Sequence, residues 1–587
     1  MRSPSPGCRC RPDRRTPATI PRHPSDVTEN VVRRRSLFAA LVLAIAALLV
    51  WLTWRALAPG GVNTAEWLIL LCVLPTVPWA ALSAANSITG LAILLDSDDP
   101  PGFVLPALRR ARPGPPQSVT ALAVCIRNED MASVLPPLGR LLDGLAEAGA
   151  ADRFRLWLLS DTQDPAHAAA EAAAIAAFAA RHPHVHYRRR ERNEGFKAGN
   201  LMDFLDRHAG EAAFFITLDA DSVMTPSAVL RLVAIMEAEP RLAIVQQLIV
   251  GRPAAAAFPR LFQFGMRAGM RSWATGQAWW QLDAGPYWGH NAIIRCAPFR
   301  DHARLEPLAD GSRILSHDMV ESVRLQAAGW RVRCLPEEDG SLESNPPAMP
   351  EFLIRDERWG AGNMQYWQLL KLPNFTPMGR LQLLQAILLF LGAPLHAAVL
   401  VLAAVNAATG GGAATPMGAL AIAVFAHWLC YFAPKLSGYA QALIQAPVAA
   451  RYGGRAAFAK GAAAEFAFMQ LFEPLSTLNK AMFLVTLPFG RRAGWAPQNR
   501  AARGIAWQDA ARLLWPHTLI GVALTLIFAT VSPAALLVAL PFTAGMVLAI
   551  PLCVLSADPA LSAWLRDRRI AATPEELEER AAQRESA

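Results

Sequence analysis

The sequence predicts a mostly parallel α/β domain carried by a multi-pass α-helical membrane domain. Apolar side chains make up 53% of the 587 residues, and they concentrate in uncharged runs on both sides of a long polar block. Inside that block, short apolar strands alternate with Ala- and Leu-rich helical stretches, a pattern typical of a parallel sheet covered by helices. The length and the apolar content together exclude a single water-soluble domain.

Residues 1–35 are rich in Pro and Arg and contain no apolar stretch, so we expect a disordered basic tail without a cleavable signal peptide. The uncharged runs at 36–54 and 67–95 predict two transmembrane helices within residues 36–95. The runs at 381–434 and 513–557 each predict two more, because a Gly-rich turn and a Ser-Pro pair divide them. The sequence therefore predicts six spans.

Between residues 435 and 512, charged residues interrupt the apolar patches, which predicts interfacial amphipathic helices, with one additional hairpin as the alternative. Residues 558–587 form a charged tail. Basic residues precede the first span and follow the last, so both termini and the polar block 96–380 are expected in the cytoplasm. The formal net charge of +9 fits contact with anionic membrane lipid, and no nucleic-acid-binding motif is present. The eight cysteines show neither disulfide nor zinc spacing.

Three predicted strands of the polar block end in acidic residues. The strand at 119–126 is followed by Glu129 and Asp130, the strand at 154–159 by Asp161, and the strand at 213–218 by Asp219 and Asp221. Because ligands gather at the carboxyl ends of parallel strands, these side chains are expected at one edge of the sheet. The alternative is that each carboxylate only caps the following helix.

Asp219 and Asp221 lie two residues apart, and their oxygens suit Mg²⁺ or Mn²⁺ bridged to phosphate. Lys197 lies in a glycine-flanked turn where it can meet a diphosphate; the alternative is a solvated lysine. Glycosyl transfer with inversion also needs a base that deprotonates the acceptor hydroxyl. We assign that role to Asp318, which could instead be a helix N-cap. His317, next to it, could be a metal ligand, a general acid or a packed imidazole, and we assign it only a role in shaping the site.

Two aromatic and polar clusters complete the predicted site. Arg358 can hold a leaving diphosphate, and the indole of Trp359 can stack on a sugar ring. Trp288, His290 and Asn291 form the second cluster and are expected to bind substrate. Without further context, aromatic residues of this kind are more often part of a core.

These motifs resemble the glucans biosynthesis glucosyltransferase H family, bacterial inner-membrane enzymes of glycosyltransferase family 2. The resemblance runs from about residue 119 to residue 370 and is carried by the following stretches: Tyr287–Arg295, Leu315–Asp318, Leu218–Met224 and Arg358-Trp359 with Gly362-Asn363. It implies a GT-A catalytic domain that uses UDP-glucose to extend a linear β-1,2-glucan for osmoregulated periplasmic glucans. It also implies passage of the chain through the membrane domain, and acyl carrier protein and a periplasmic glucan protein as partners.

By matching position, the resemblance implies that Asp161 faces the uracil, that Asp219 and Asp221 serve diphosphate and metal, and that Asp318 is the base. Arg358 and Trp359 complete the acceptor and diphosphate site. Where the broader cellulose-synthase-like motif has Gln, this chain has Arg355.

Two other functions fit parts of the sequence. An enzyme of the same fold that makes another β-glucan or a glycolipid is one, because spacing does not reveal how the acceptor hydroxyl is presented. A transporter or channel with a nucleotide-sensing domain is the other. It predicts charged residues within the spans, and the predicted spans contain none.

Overall fold

The computed structural model describes residues 30–112, 114–491 and 503–585. Most of the predicted tail lies outside these ranges, and its last residues are helical. The first helix, Val31–Leu57, begins at residue 31 instead of residue 36, and the Asn30 side chain caps it by accepting from the backbone N–H of Arg33 at 2.9 Å. Arg35 donates to the carbonyl of Gln281 at 3.2 Å. This contact ties the start of the helix to the polar block.

A seven-stranded sheet forms the centre of the polar block. The strands of the described residues are β1 Thr120–Ile126, β2 Phe154–Ser160, β3 Val185–Arg189, β4 Phe214–Asp219, β5 Val223–Met224, β6 Leu242–Gln247, β7 Val250–Gly251, β8 Ala292–Arg295, β9 Arg331–Leu335 and β10 Ser341–Glu343. The large sheet has the order β3-β2-β1-β4-β8-β6-β9, and β5, β10 and β7 form a small second sheet. Only β8 runs antiparallel to its neighbours in the large sheet, so the predicted mostly parallel α/β fold is confirmed.

Helices cover both faces of the large sheet. Successive residues of β1 point to opposite faces, and Leu122 and Val124 join one apolar core while Ala121 and Ala123 join the other. The helices and short helical turns of this part are Pro100–Val104, Pro106–Arg110, Met131–Glu147, Ala151–Arg153, Pro165–Ala179, Phe196–Arg207, Pro226–Ala238, Ala257–Gln281, Cys296–His302, Asp318–Ala327, Met349–Met364 and Tyr366–Leu369.

Five described helices are long and apolar enough to cross a membrane: Val31–Leu57, Val77–Asp96, Pro377–Ala408, Met417–Ile444 and Trp507–Val531. A sixth is obtained if the pair Pro533–Val547 and Ala549–Ser556, bent by 56°, is counted as one span. The remaining helices are Thr64–Val73, Ala446–Ala450, Arg455–Thr486, Leu487–Phe489, Pro559–Asp567 and Pro574–Glu585. These apolar helices fit a transmembrane protein.

The region 435–512, predicted as interfacial helices, is dominated by the long helix Arg455–Thr486. Its Glu465 is fully buried and pairs with Lys435 of the preceding long helix. Its Phe472 ring lies 5.1 Å from that of Phe352 and 5.3 Å from that of Phe258. The edge-to-face contact with Phe352 fixes helix Met349–Met364, which carries Arg358 and Trp359, against helix Arg455–Thr486.

Candidate functional site

The acidic residues that follow β2 and β4 lie at one edge of the sheet, because β1 pairs in parallel with both strands. Asp130 fits the capping alternative, since its carboxylate accepts from the backbone N–H of Ala132 at 3.0 Å. Asp161 and Asp219 do not, because Asp164 and Thr225 cap the helices that follow them. At two of the three predicted positions, the carboxylate is therefore not explained by helix capping.

The carboxylate of Asp161 is held by an arginine that the sequence did not single out. Arg190 donates to both Asp161 oxygens, at 2.7 and 2.8 Å, and the Asp161 side chain is only 6% exposed. Arg190 also donates to the carbonyls of Glu194 and Phe196, at 2.9 and 3.1 Å. Asp161 thus fixes the turn that leads to Lys197, and its contact with uracil stays a prediction.

Lys197 is not a solvated lysine. Gly195, with φ of 70°, makes the left-handed turn that starts helix Phe196–Arg207 and aims Lys197 back at the sheet edge. The ammonium pairs with Asp219 and donates to the carbonyl of Gly289 at 2.7 Å. Burial lowers the pKa of Lys197, but the Asp219 carboxylate outweighs it and the pKa is raised. A fixed positive charge therefore sits beside the predicted metal ligand.

His290 joins the same carboxylate from the other side. Its Nδ1 lies 3.7 Å from an Asp219 oxygen, and its Nε2 lies 2.9 Å from Oε2 of Glu343 in β10. Burial lowers the pKa of His290, while Asp219 and the hydrogen bond to Glu343 raise it by more, to about 8. Glu343 is a site residue that the sequence analysis missed, because nothing near it in the chain pairs it with His290.

The other two residues of the cluster brace the wall of the site. Asn291 is fully buried and donates from Nδ2 to Ser341 Oγ at 3.1 Å and to the Leu342 carbonyl at 3.3 Å. Trp288 packs in an apolar cluster with Ala278 and Cys334, as the core alternative predicts. Their binding of substrate stays a prediction, and their contacts in the structure are with β10 and with the core.

Asp318 lies against Gly289, the residue whose carbonyl accepts from Lys197. It is the first residue of helix Asp318–Ala327, where the structure shows no side-chain capping bond, so the capping alternative is not supported. Gly289 has φ of 88°, and a Cβ there would lie 3.6 Å from Oδ2 of Asp318. His317 Nδ1 lies 2.9 Å from an oxygen of the fully buried Glu321, which anchors this helix start. The Asp318 carboxylate therefore lies next to Gly289, whose carbonyl accepts from the same Lys197 that pairs with Asp219.

Helix Met349–Met364 brings arginines and an indole to this edge. Trp359 is 47% exposed, and the Arg355 guanidinium lies 4.5 Å from its ring centroid. Burial lowers the pKa of Arg355, and the carboxylates of Glu343, Asp356 and Asp221 oppose that effect. Arg358 is buried, at 8% exposure. Arg355, which occupies the Gln position of the broader motif, therefore acts electrostatically on the acidic edge.

The residues at this edge suit a divalent cation. The backbone carbonyl of Asp219 accepts from the backbone N–H of Ser222 at 3.0 Å, and the backbone N–H of Asp219 donates to Ser222 Oγ at 3.0 Å, which folds residues 219–222 into a tight turn. This turn carries Asp219 and the half-buried Asp221 side by side. Among the described residues, no group of three or more His, Cys, Asp or Glu could hold a metal alone. Mg²⁺ and Mn²⁺ fit a site of two carboxylates, because they usually take their other ligands from water and substrate phosphate.

Comparison with known proteins places this chain in a family. The profile of glycosyl transferase family 2 matches residues 122–303, and that of glycosyl transferase family group 2 matches residues 214–437. The chain is 30% identical over 581 residues to glucans biosynthesis glucosyltransferase H of Caulobacter vibrioides, covering 94% of this chain and 87% of that one. The protein of that name from Xanthomonas euvesicatoria is 30% identical over 589 residues, covering 95% and 89%.

A third relative of that name, from Pseudomonas entomophila, is 34% identical over 485 residues, which cover 78% of this chain and 56% of that one. Among solved structures, a mannosyltransferase from Pyrobaculum calidifontis in complex with GDP-Man and Mn²⁺ is 16% identical, with a TM-score of 0.39 over 61% of this chain and 98% of that one. The long matches to the curated relatives decide the assignment. The chain belongs to the glucans biosynthesis glucosyltransferase H family and is a membrane glycosyltransferase of family 2 with a GT-A-like fold.

Proposed function

We propose that this protein is an inverting, processive glucosyltransferase that moves glucose from UDP-glucose to a growing linear β-1,2-glucan backbone of osmoregulated periplasmic glucans. The observation that carries the proposal is the juxtaposition of Asp219, Lys197, Gly289 and Asp318. Lys197 pairs with Asp219 and donates to Gly289, and Gly289 in turn lies against Asp318. The charged groups proposed to face the diphosphate and the proposed base therefore contact the same residue, Gly289.

In the proposed reaction, Asp318 accepts the proton of the acceptor hydroxyl as its oxygen attacks the anomeric carbon of the donor glucose. The bond from that carbon to the diphosphate oxygen breaks, and UDP leaves with the electron pair. Lys197 and the raised-pKa imidazole of His290 supply positive charge near the leaving group. A divalent cation held by Asp219 and Asp221 would neutralise the diphosphate as its charge develops.

The acceptor end of the glucan is proposed to stack on Trp359, whose indole is 47% exposed at the junction with the apolar helices. Arg358 and Arg355 extend the positive charge on the diphosphate side. We further propose that the enzyme spans the bacterial inner membrane with its catalytic domain in the cytoplasm and its basic span ends against anionic lipid. Acyl carrier protein and a periplasmic glucan protein have no support in the comparisons and are not part of the proposal.

The proposed role of Asp318 is tested with Asp318→Asn, which keeps the shape of the side chain and removes the base. We expect membranes carrying this variant to transfer no glucose from UDP-glucose, while UDP affinity stays within about twofold, because Asp318 is not among the proposed diphosphate ligands. Asp310→Asn is the matched control, since Asp310 lies eight residues earlier and bonds Ser312 in an exposed turn. Wild-type turnover by Asp318→Asn would end the assignment of the base.

A further inference from the structure

Two buried arginines lie on one face of helix Ala257–Gln281. Arg260 and Arg267 are seven residues apart, which is two helical turns, and each side chain is only 1% exposed. A guanidinium stays charged in proteins, so its burial is costly unless carboxylates neutralise it. The residues that pair with these arginines therefore hold a decisive position in the fold.

Both arginines take carboxylates from helix Pro574–Glu585, more than 300 positions away in the chain. Arg260 donates from Nη1 to Glu576 at 2.6 Å and from Nε to the Ile570 carbonyl at 2.6 Å. Arg267 donates to both oxygens of Glu575, at 2.6 and 2.8 Å. In both pairs the arginine is fully buried and the shortest contact is 2.6 Å, so each pair is a control for the other.

Of these two arginines, Arg267 also contacts the segment that precedes β10. Arg267 also donates from Nη2 and Nε to Glu338 Oε1, at 3.1 and 3.3 Å. The residues 337–339, which we call the 337–339 loop, are held from two other directions as well. Arg231 pairs with Glu337 at 2.6 Å, and Arg451 pairs with Glu338 at 3.2 Å.

The 337–339 loop leads directly into β10, and β10 forms a wall of the candidate site. Ser341 and Leu342 of β10 accept from Asn291, and Glu343 holds His290, whose Nδ1 lies 3.7 Å from Asp219. A shift of the loop would therefore move the groups that orient His290 beside the proposed diphosphate site.

From this chain of contacts we infer that Glu575 is a positioning residue for donor binding: through Arg267 and Glu338 it fixes β10, and β10 fixes His290 next to Asp219. The inference rests on the proposed function in one respect, that the donor's diphosphate binds at Asp219. It gives helix Pro574–Glu585 a role in the affinity for the nucleotide sugar, although Glu575 itself is not part of the sheet edge.

The test compares Glu575→Gln with Glu576→Gln in the full-length, detergent-purified enzyme. Each variant removes one carboxylate charge from a pair with a buried arginine, but only the arginine that pairs with Glu575 also contacts the 337–339 loop. We expect Glu575→Gln to raise the KM for UDP-glucose and the Kd for UDP with Mg²⁺ by about three-fold or more at similar kcat, the size usual for mutations along a packed network. Glu576→Gln should lower the melting temperature without raising either constant. Equal effects of the two variants on Kd would overturn the inference.

A second measurement is independent of the donor. Amide hydrogen exchange of the segment 337–343 should rise in Glu575→Gln and stay at the wild-type level in Glu576→Gln. Unchanged exchange in Glu575→Gln would overturn the inference, whether or not UDP binds. Failure of UDP to bind the wild-type enzyme would instead refute the proposed donor. If either Gln variant fails to accumulate, Glu575→Asp and Glu576→Asp keep the charge and shorten the side chain, and the same contrast between them is expected.

Discussion

The pKa of His290 gives a prediction whose size follows from the structure. Contact with Asp219 and the hydrogen bond to Glu343 raise this pKa from its ordinary 6.5 to about 8, despite burial. The difference corresponds to about 2 kcal/mol of folding free energy, at 1.36 kcal/mol for each pH unit. Because the pKa is higher in the folded state, this stabilisation is fully present below pH 6.5 and is lost as the pH rises through 8.

The assay is thermal unfolding of the metal-free enzyme and of His290→Gln at pH 6 and pH 9 in the same detergent. Gln cannot titrate, so the stability gap between wild type and variant should be about 2 kcal/mol larger at pH 6 than at pH 9. His186→Gln is a control of opposite sign, because burial and Arg155 lower the pKa of His186 and its protonation favours the unfolded chain. A gap that does not change with pH, or that grows toward pH 9, would refute the charge assignment of His290.

Three further outcomes are expected from the same geometry. Asp221→Ala should remove most of the Mg²⁺ dependence of UDP affinity, measured by titration with and without EDTA; an unchanged dependence excludes Asp221 from the metal site. Trp359→Ala should shorten or stop the glucan chains while UDP affinity is kept, and equal loss of both would place the indole in packing. Gly289→Ala forces a left-handed backbone on a residue with a Cβ, which costs about 1–2 kcal/mol. Because this strain displaces the carbonyl that accepts from Lys197, glucose turnover should fall about tenfold, and wild-type turnover would show that this carbonyl is not critical.

The three strands that the sequence predicts, β1, β2 and β4, could be recognised because each is an apolar run that ends in polar residues. The predicted strand at 119–126 is observed as Thr120–Ile126, and the one at 213–218 as Phe214–Asp219. The antiparallel direction of β8 could not be predicted, because four residues, Ala292–Arg295, carry no signal of direction. The start of the first helix was misplaced because its arginines resemble a tail, although Arg34 and Arg35 bond to backbone carbonyls of the polar block.

The site was predictable where its residues are consecutive and was missed where it depends on tertiary contacts. Asp219 and Asp221 lie two residues apart at a strand end, and the turn that holds them is formed by local hydrogen bonds. The pairs Asp161–Arg190 and His290–Glu343 join residues 29 and 53 positions apart, and no local pattern relates them. The buried guanidinium of Arg267 was also missed, because a charged residue in a helix is ordinarily a sign of exposure.

The central claim is tested most directly by turnover of radiolabelled UDP-glucose in membranes that contain this protein, with Mg²⁺ and with EDTA, followed by linkage analysis of the polymer. The proposed function predicts a polymer that forms only with the metal and whose glucose units are joined by β-1,2 bonds. A β-1,4 polymer or a lipid-linked product would contradict the proposed product. The absence of transfer from every UDP-sugar tested would contradict the proposed activity itself.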